Sequence, residues 1–130
     1  MKNYPQVAQT FCIINAAEAV HKQLGHHSRE QAYRDALEKE FKKQSIPFEV
    51  NKRLKINNGG TTELVYLADF VCYRSIIIEL KALHKISKVK SQLAQFLKVT
   101  KTGLQKGLLL NFGAIDLQHR RFVTESISYI

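Results

Sequence analysis

Leu67-Ala-Asp-Phe-Val-Cys-Tyr-Arg-Ser-Ile-Ile-Ile-Glu-Leu-Lys-Ala82 sets three charges, Asp69, Glu79 and Lys81, into two segments that otherwise have the apolar character of buried strand. Strand side chains alternate between faces, so Glu79 and Lys81 share one face while Ile78 and Leu80 take the other. The run Ile76-Ile77-Ile78 and the following Ala82-Leu83 fit a strand covered on both sides, where an unpaired carboxylate costs on the order of several kcal/mol. A cation or a protonated partner is therefore implied. Asp69 follows a second apolar run, Leu64 to Ala68, and the gap Cys72-Tyr73-Arg74-Ser75 is short enough to fold the two runs into an antiparallel hairpin that brings Asp69 beside Glu79. Two carboxylates and a lysine at one place suit a hard divalent cation such as Mg²⁺, which takes one or two protein carboxylates and keeps several waters. The same residues also fit a lateral Glu79 to Lys81 salt bridge on a solvated sheet face, with Asp69 a strand-end residue.

Composition narrows the partner class. The chain has 130 residues, 45% hydrophobic and 24% charged, which predicts a single globular domain over 1–130. No apolar run approaches the roughly 20 residues that span a bilayer, and the opening Met-Lys-Asn-Tyr-Pro has no signal-peptide core, so the expectation is a cytoplasmic protein away from membranes. Cys12 and Cys72 are too few for a disulfide framework or a zinc site, and both are expected in the core. Lys and Arg outnumber Asp and Glu 20 to 11, a formal charge of +9. Such an excess attracts polyanions, with nucleic acid the leading partner, although a basic balance also serves solubility. Lys85, Lys88, Lys90, Lys98, Lys101 and Lys106 crowd the segment after the carboxylates and would draw a polyanion toward them.

Around the central hairpin the pattern predicts the order ααβββαββ. Pro5 opens a helix running to about Leu24 with Val7, Phe11, Ile14, Ala17 or Glu18, and His21 inward, and Gly25 ends it. His21 on that side has the character of a satisfied core histidine. Ser28 is the expected cap of a second helix, about Arg29 to Gln44, with Tyr33, Leu37 and Phe41 as its stripe. Phe48 to Ile56 alternates as a strand whose pattern slips near Lys52, the mark of an edge or bulged strand, and Asn57-Asn58-Gly59-Gly60 turns the chain back. Ser87 to about Thr102 has helical spacing. Gly107-Leu-Leu-Leu-Asn-Phe112 is an interior strand paired in parallel with the third, and Arg121 to Thr124 is a weaker last one. Gly107 and Gly113 bound a strand and form no phosphate loop.

Asp69 followed by Glu79-x-Lys81 on a hairpin in an α/β sheet resembles the PD-(D/E)XK nuclease superfamily. His21-Lys-Gln-Leu-Gly25, Glu30-Gln-Ala-Tyr33, Ala36-Leu37, Ala68-Asp69, Glu79-Leu-Lys-Ala82, Gln92 and Gly107-Leu-Leu-Leu-Asn-Phe-Gly113, taken in order over about residues 10–124, look like the small GxxExxR family within it. The resemblance implies a restriction-endonuclease-like fold, an α/β domain with a mixed sheet flanked by helices. It implies Mg²⁺ or Mn²⁺ held by Asp69, Glu79 and the main-chain carbonyl of Leu80, with Glu30 completing the site directly or through water. Lys81 would orient the attacking water or stabilise transition-state charge, and Gln92 would face the metal centre. Lys85, Lys88 and Lys90 would hold backbone phosphates. The chain departs from the family at His27, where glycine is usual, and at Phe96, where relatives often carry tyrosine.

The expectation is a metal-dependent nuclease with little sequence specificity, DNA before RNA, since phosphate contacts position a strand without reading it. The alternative is a non-catalytic nucleic-acid-binding or partner-dependent interaction module on the same fold. The apolar carboxy-terminal tail offers a surface for a homodimer.

Overall fold

A computed structural model describes residues 4–57, 63–84 and 106–123. In chain order these form α1 (Tyr4–Leu24), α2 (Glu30–Lys43), β1 (Phe48–Asn57), β2 (Glu63–Cys72), β3 (Ile76–Lys81), β4 (Lys106–Asn111) and β5 (Gln118–Val123). The expected third helix, about 87–102, and the carboxy-terminal tail lie outside the described residues. The strands make one sheet in the order β1-β2-β3-β4-β5. β3 and β4 run parallel and the other neighbours antiparallel. This is the expected α/β architecture, a mixed sheet flanked by helices. No helix among the described residues is long and apolar enough to cross a membrane.

Both helices cover one face of the sheet. Ile13, Ala16, Ala17 and Val20 of α1 and Tyr33, Leu37 and Phe41 of α2 form one core with Phe70, Cys72, Ile76, Ile78, Leu80, Leu108, Leu110 and Phe112. The α2 stripe is the one its spacing predicted. The α1 stripe is so only in part: Ala17 and His21 are buried as expected and Ile14 packs against the core, but Val7 and Phe11 are 54% and 65% exposed, and Ile13, Ala16 and Val20 face inward in their place. That helix is apolar on more than one side, so periodicity alone did not choose the buried one; Ala16 and Ala17 let the backbone approach the sheet. Cys12, next to Phe11, is accordingly exposed, and only Cys72 is buried. His21 is buried, and its Nε2 lies 2.9 Å from the Ala114 carbonyl, which leaves it a satisfied core histidine.

The turn between the helices is held by a tyrosine hydroxyl where a serine cap was expected. The N-cap residue of α2 is Arg29, with no side-chain cap hydrogen bond. Tyr33 Oη donates to the Gly25 carbonyl at 2.6 Å and accepts from the Ser28 N–H at 3.1 Å, while its ring stacks on Phe112. Gly25 takes φ 75°, the left-handed conformation that ends helices cheaply for glycine. Glu30 therefore starts α2 from a fixed corner.

The expected slip in β1 occurs at Asn51, whose φ is 51°. Val50 pairs with Phe70 and Lys52 with Ala68, so the register passes over Asn51 and Asp69 without shifting. On one side of this point Phe70 and Cys72 face the helices. On the other, Tyr66 and Ala68 join Val71 and Ile77 in a smaller cluster on the opposite face. β1 is an edge strand, and β1 and β2 exchange faces together at Asp69.

Candidate functional site

β2 and β3 pair at Cys72↔Ile76, Val71↔Ile77 and Phe70↔Ile78. Extending that register would set Asp69 opposite Glu79, as the hairpin predicted, but the ladder stops there. The Asp69 side chain takes over: Oδ2 accepts the Leu80 N–H at 2.7 Å, standing in for the missing strand carbonyl. A strand residue sends its N–H and C=O to the same side. The Ser75 and Lys81 carbonyls accept from β4, at Lys106 N and Phe112 N, so the alternating Leu80 carbonyl points to the β2 side with Asp69. Asp69 Oδ1 accepts from Arg34 Nη2 of α2 at 2.8 Å.

Glu79 projects from the face away from the helices, beside Ile77. Its side chain is only 7% exposed, with Oε2 at 3.3 Å from Lys81 Nζ. Tyr66 Oη donates to its Oε1 at 3.2 Å. Burial, then the Glu79 carboxylate and its hydrogen bond, then the charge of Asp69, push the Tyr66 phenol far above its ordinary range. It therefore stays a protonated donor that senses both carboxylates. The lateral Glu79 to Lys81 bridge is real, but it lies in a buried setting, and Asp69 sits within β2 rather than at a strand end.

The structure thus brings Asp69, Glu79, Leu80 and Lys81 to one place. Glu30 reaches it through Arg34, whose Nη2 is 3.6 Å from the Glu30 carboxylate. Gln92, Lys85, Lys88, Lys90, Lys98 and Lys101 lie outside the described residues. Lys106 pairs with Ile76, at the opposite end of β3 from Lys81, so it does not join the basic group near the carboxylates. Sequence reasoning missed Arg34 and Tyr66. The available signals were that Arg34 lies one helical turn after Glu30 and that Tyr66 lies on the apolar run leading to Asp69.

The β3 exit is fixed from the far side. Asn111, fully buried, accepts from Leu83 N at 2.7 Å and donates to Leu83 O at 3.0 Å. Gly113 lies so close to the Ala82–Leu83 backbone that a Cβ there would collide with the Leu83 carbonyl. Lys81 is thereby anchored just before a clamped segment.

A family description of the PD-(D/E)XK nuclease superfamily matches residues 8–122, nearly the whole chain, and the protein belongs to that superfamily. No curated protein and no solved structure matches it. Members of that superfamily are generally nucleases, which act on nucleic acid and typically use divalent metal.

The donor set suits such a metal. Asp69, Glu79 and the Leu80 carbonyl offer hard oxygen donors, with no thiolate or imidazole among them. Among the described residues no group of three His, Cys, Asp or Glu could hold an ion. Two carboxylates, one carbonyl and water are what Mg²⁺ ordinarily uses, so the residues fit a water-rich site and not a closed protein cage.

Proposed function

We propose that the protein is a metal-dependent nuclease that hydrolyses phosphodiester bonds of nucleic acid, DNA before RNA, with little sequence specificity. The observation that supports it most is the Asp69 carboxylate at the point where β2 parts from β3, beside the Leu80 carbonyl and the buried Glu79–Lys81 pair. Asp69, Glu79 and the Leu80 carbonyl would hold Mg²⁺ or Mn²⁺, with Glu30 completing the site directly or through water. The bound ion supplies Lewis acidity and lowers the pKa of water. Glu79, paired with Lys81 and held by the Tyr66 hydroxyl, orients its carboxylate toward that site. Lys81 directs the attacking water at phosphorus or stabilises the charge that develops on the phosphoryl oxygens. The resemblance assigns Gln92 to the same reaction, and Lys85, Lys88 and Lys90 to backbone phosphates.

The test is cleavage of end-labelled single- and double-stranded DNA and RNA with Mg²⁺, Mn²⁺ or chelator. Metal-dependent cleavage is expected, and it should disappear in Asp69→Asn. Lys81→Ala should abolish turnover and leave the circular dichroism spectrum unchanged. Full activity in chelator, or in Lys81→Ala, would overturn the assignment. Salt-sensitive binding without cleavage under any condition would instead mark a binding module on this fold.

A further inference from the structure

Arg34 is held in a way its own hydrogen bonding does not explain. Its Nη2 lies 2.8 Å from Asp69 Oδ1 and 3.6 Å from the Glu30 carboxylate, and its Nη1 donates to Gln31 at 3.1 Å. Its Nε is buried without a hydrogen-bond partner among the described residues. A guanidinium with one N–H buried and unanswered forfeits hydration. What holds it there is the charge of Asp69, the carboxylate placed to take a divalent ion. Asp69, Glu79 and Glu30 carry three negative charges, and Arg34 and Lys81 return two positive ones. Lys81 already serves Glu79.

We infer that Arg34 is a positioning residue that acts as the resident counter-cation of Asp69. It fixes that carboxylate in the metal-free protein and competes with the divalent ion for it. The inference rests on the metal reading proposed above. An arginine acting only as a structural brace would have the opposite signature: its loss would loosen Asp69 and weaken metal binding. As a competing cation, its loss strengthens binding, because a fixed positive charge a few ångströms from a divalent ion repels it even at the high effective dielectric of a partly exposed site.

The experiment is Mn²⁺ titration of the full chain without nucleic acid, followed by the electron paramagnetic resonance signal of free Mn²⁺. Wild type is compared with Arg34→Met, Arg34→Gln and Arg34→Lys, with Asp69→Asn as the loss-of-site control. Both neutral variants are expected to bind Mn²⁺ about tenfold more tightly, and Arg34→Lys to stay near wild type because it keeps the charge. Mg²⁺ competition should show the same order. Two neutral variants are used so that a folding failure in one, seen by circular dichroism, leaves the comparison intact. Unchanged or weaker Mn²⁺ binding in the neutral variants would overturn the role of Arg34 and leave the metal reading standing. A wild type that binds no Mn²⁺ would overturn the metal reading, and this inference with it.

Discussion

On the helix side of the sheet, Phe70 packs edge-on against Phe41 with ring centroids 5.2 Å apart, inside a core drawn from both helices and three strands. On the opposite side the cluster of Tyr66, Ala68, Val71 and Ile77 is small, and a buried carboxylate, Glu79, projects beside it. The first face is held by apolar packing, which is non-directional and tolerant of detail. The second depends on pairing a charge with Lys81 and a phenol, where each partner counts. β2 belongs to both, because it exchanges faces at Asp69. Stability and chemistry are thus separated along one strand within a few residues.

The largest test of that separation is Phe70→Ala. It should remove about 3–5 kcal/mol of stability, read by denaturant unfolding, because it empties the centre of the helix-side core. Tyr66→Phe should do the reverse. Unfolding should change by only about 0.5–1.5 kcal/mol, while turnover falls through a loosened Glu79. A large stability loss with normal turnover would break the comparison.

A smaller effect lies in the thiols. Burial pushes the Cys72 thiol up to about 12 from an ordinary 9.0, whereas Cys12 is exposed. In the native protein one thiol should react promptly with a disulfide reagent near pH 8, and both in denaturant. The pH sign follows from linkage. Above 9 the unfolded chain releases the Cys72 proton and the folded one retains it, so this residue favours folding less and less as pH rises from 9 toward 12. Cys72→Ser should flatten that part of the stability profile.

Much of this arrangement was legible in the sequence for specific physical reasons. Asp69, Glu79 and Lys81 stood out because charge is expensive in apolar strands. The α2 stripe was readable because only one side of that helix is apolar, and the β1 slip because alternation fails visibly near Lys52, one residue from the Asn51 kink. What was hidden depended on tertiary geometry. The α1 face was ambiguous because Val7 and Phe11 compete with Ile13, Ala16 and Val20. Ser28 had the composition of a cap, but the Tyr33 hydroxyl reached the turn first. The only local sign at Arg34 was its place one helical turn after Glu30, and nothing before folding sets the start of α2 over the gap between β2 and β3.

The most direct measurement is diffraction from crystals soaked in Mn²⁺, read as an anomalous difference map. A peak bounded by Asp69, Glu79 and the Leu80 carbonyl, absent from Asp69→Asn crystals, is the predicted result. A well-ordered site with no peak there, or a peak held by other residues, would contradict the account.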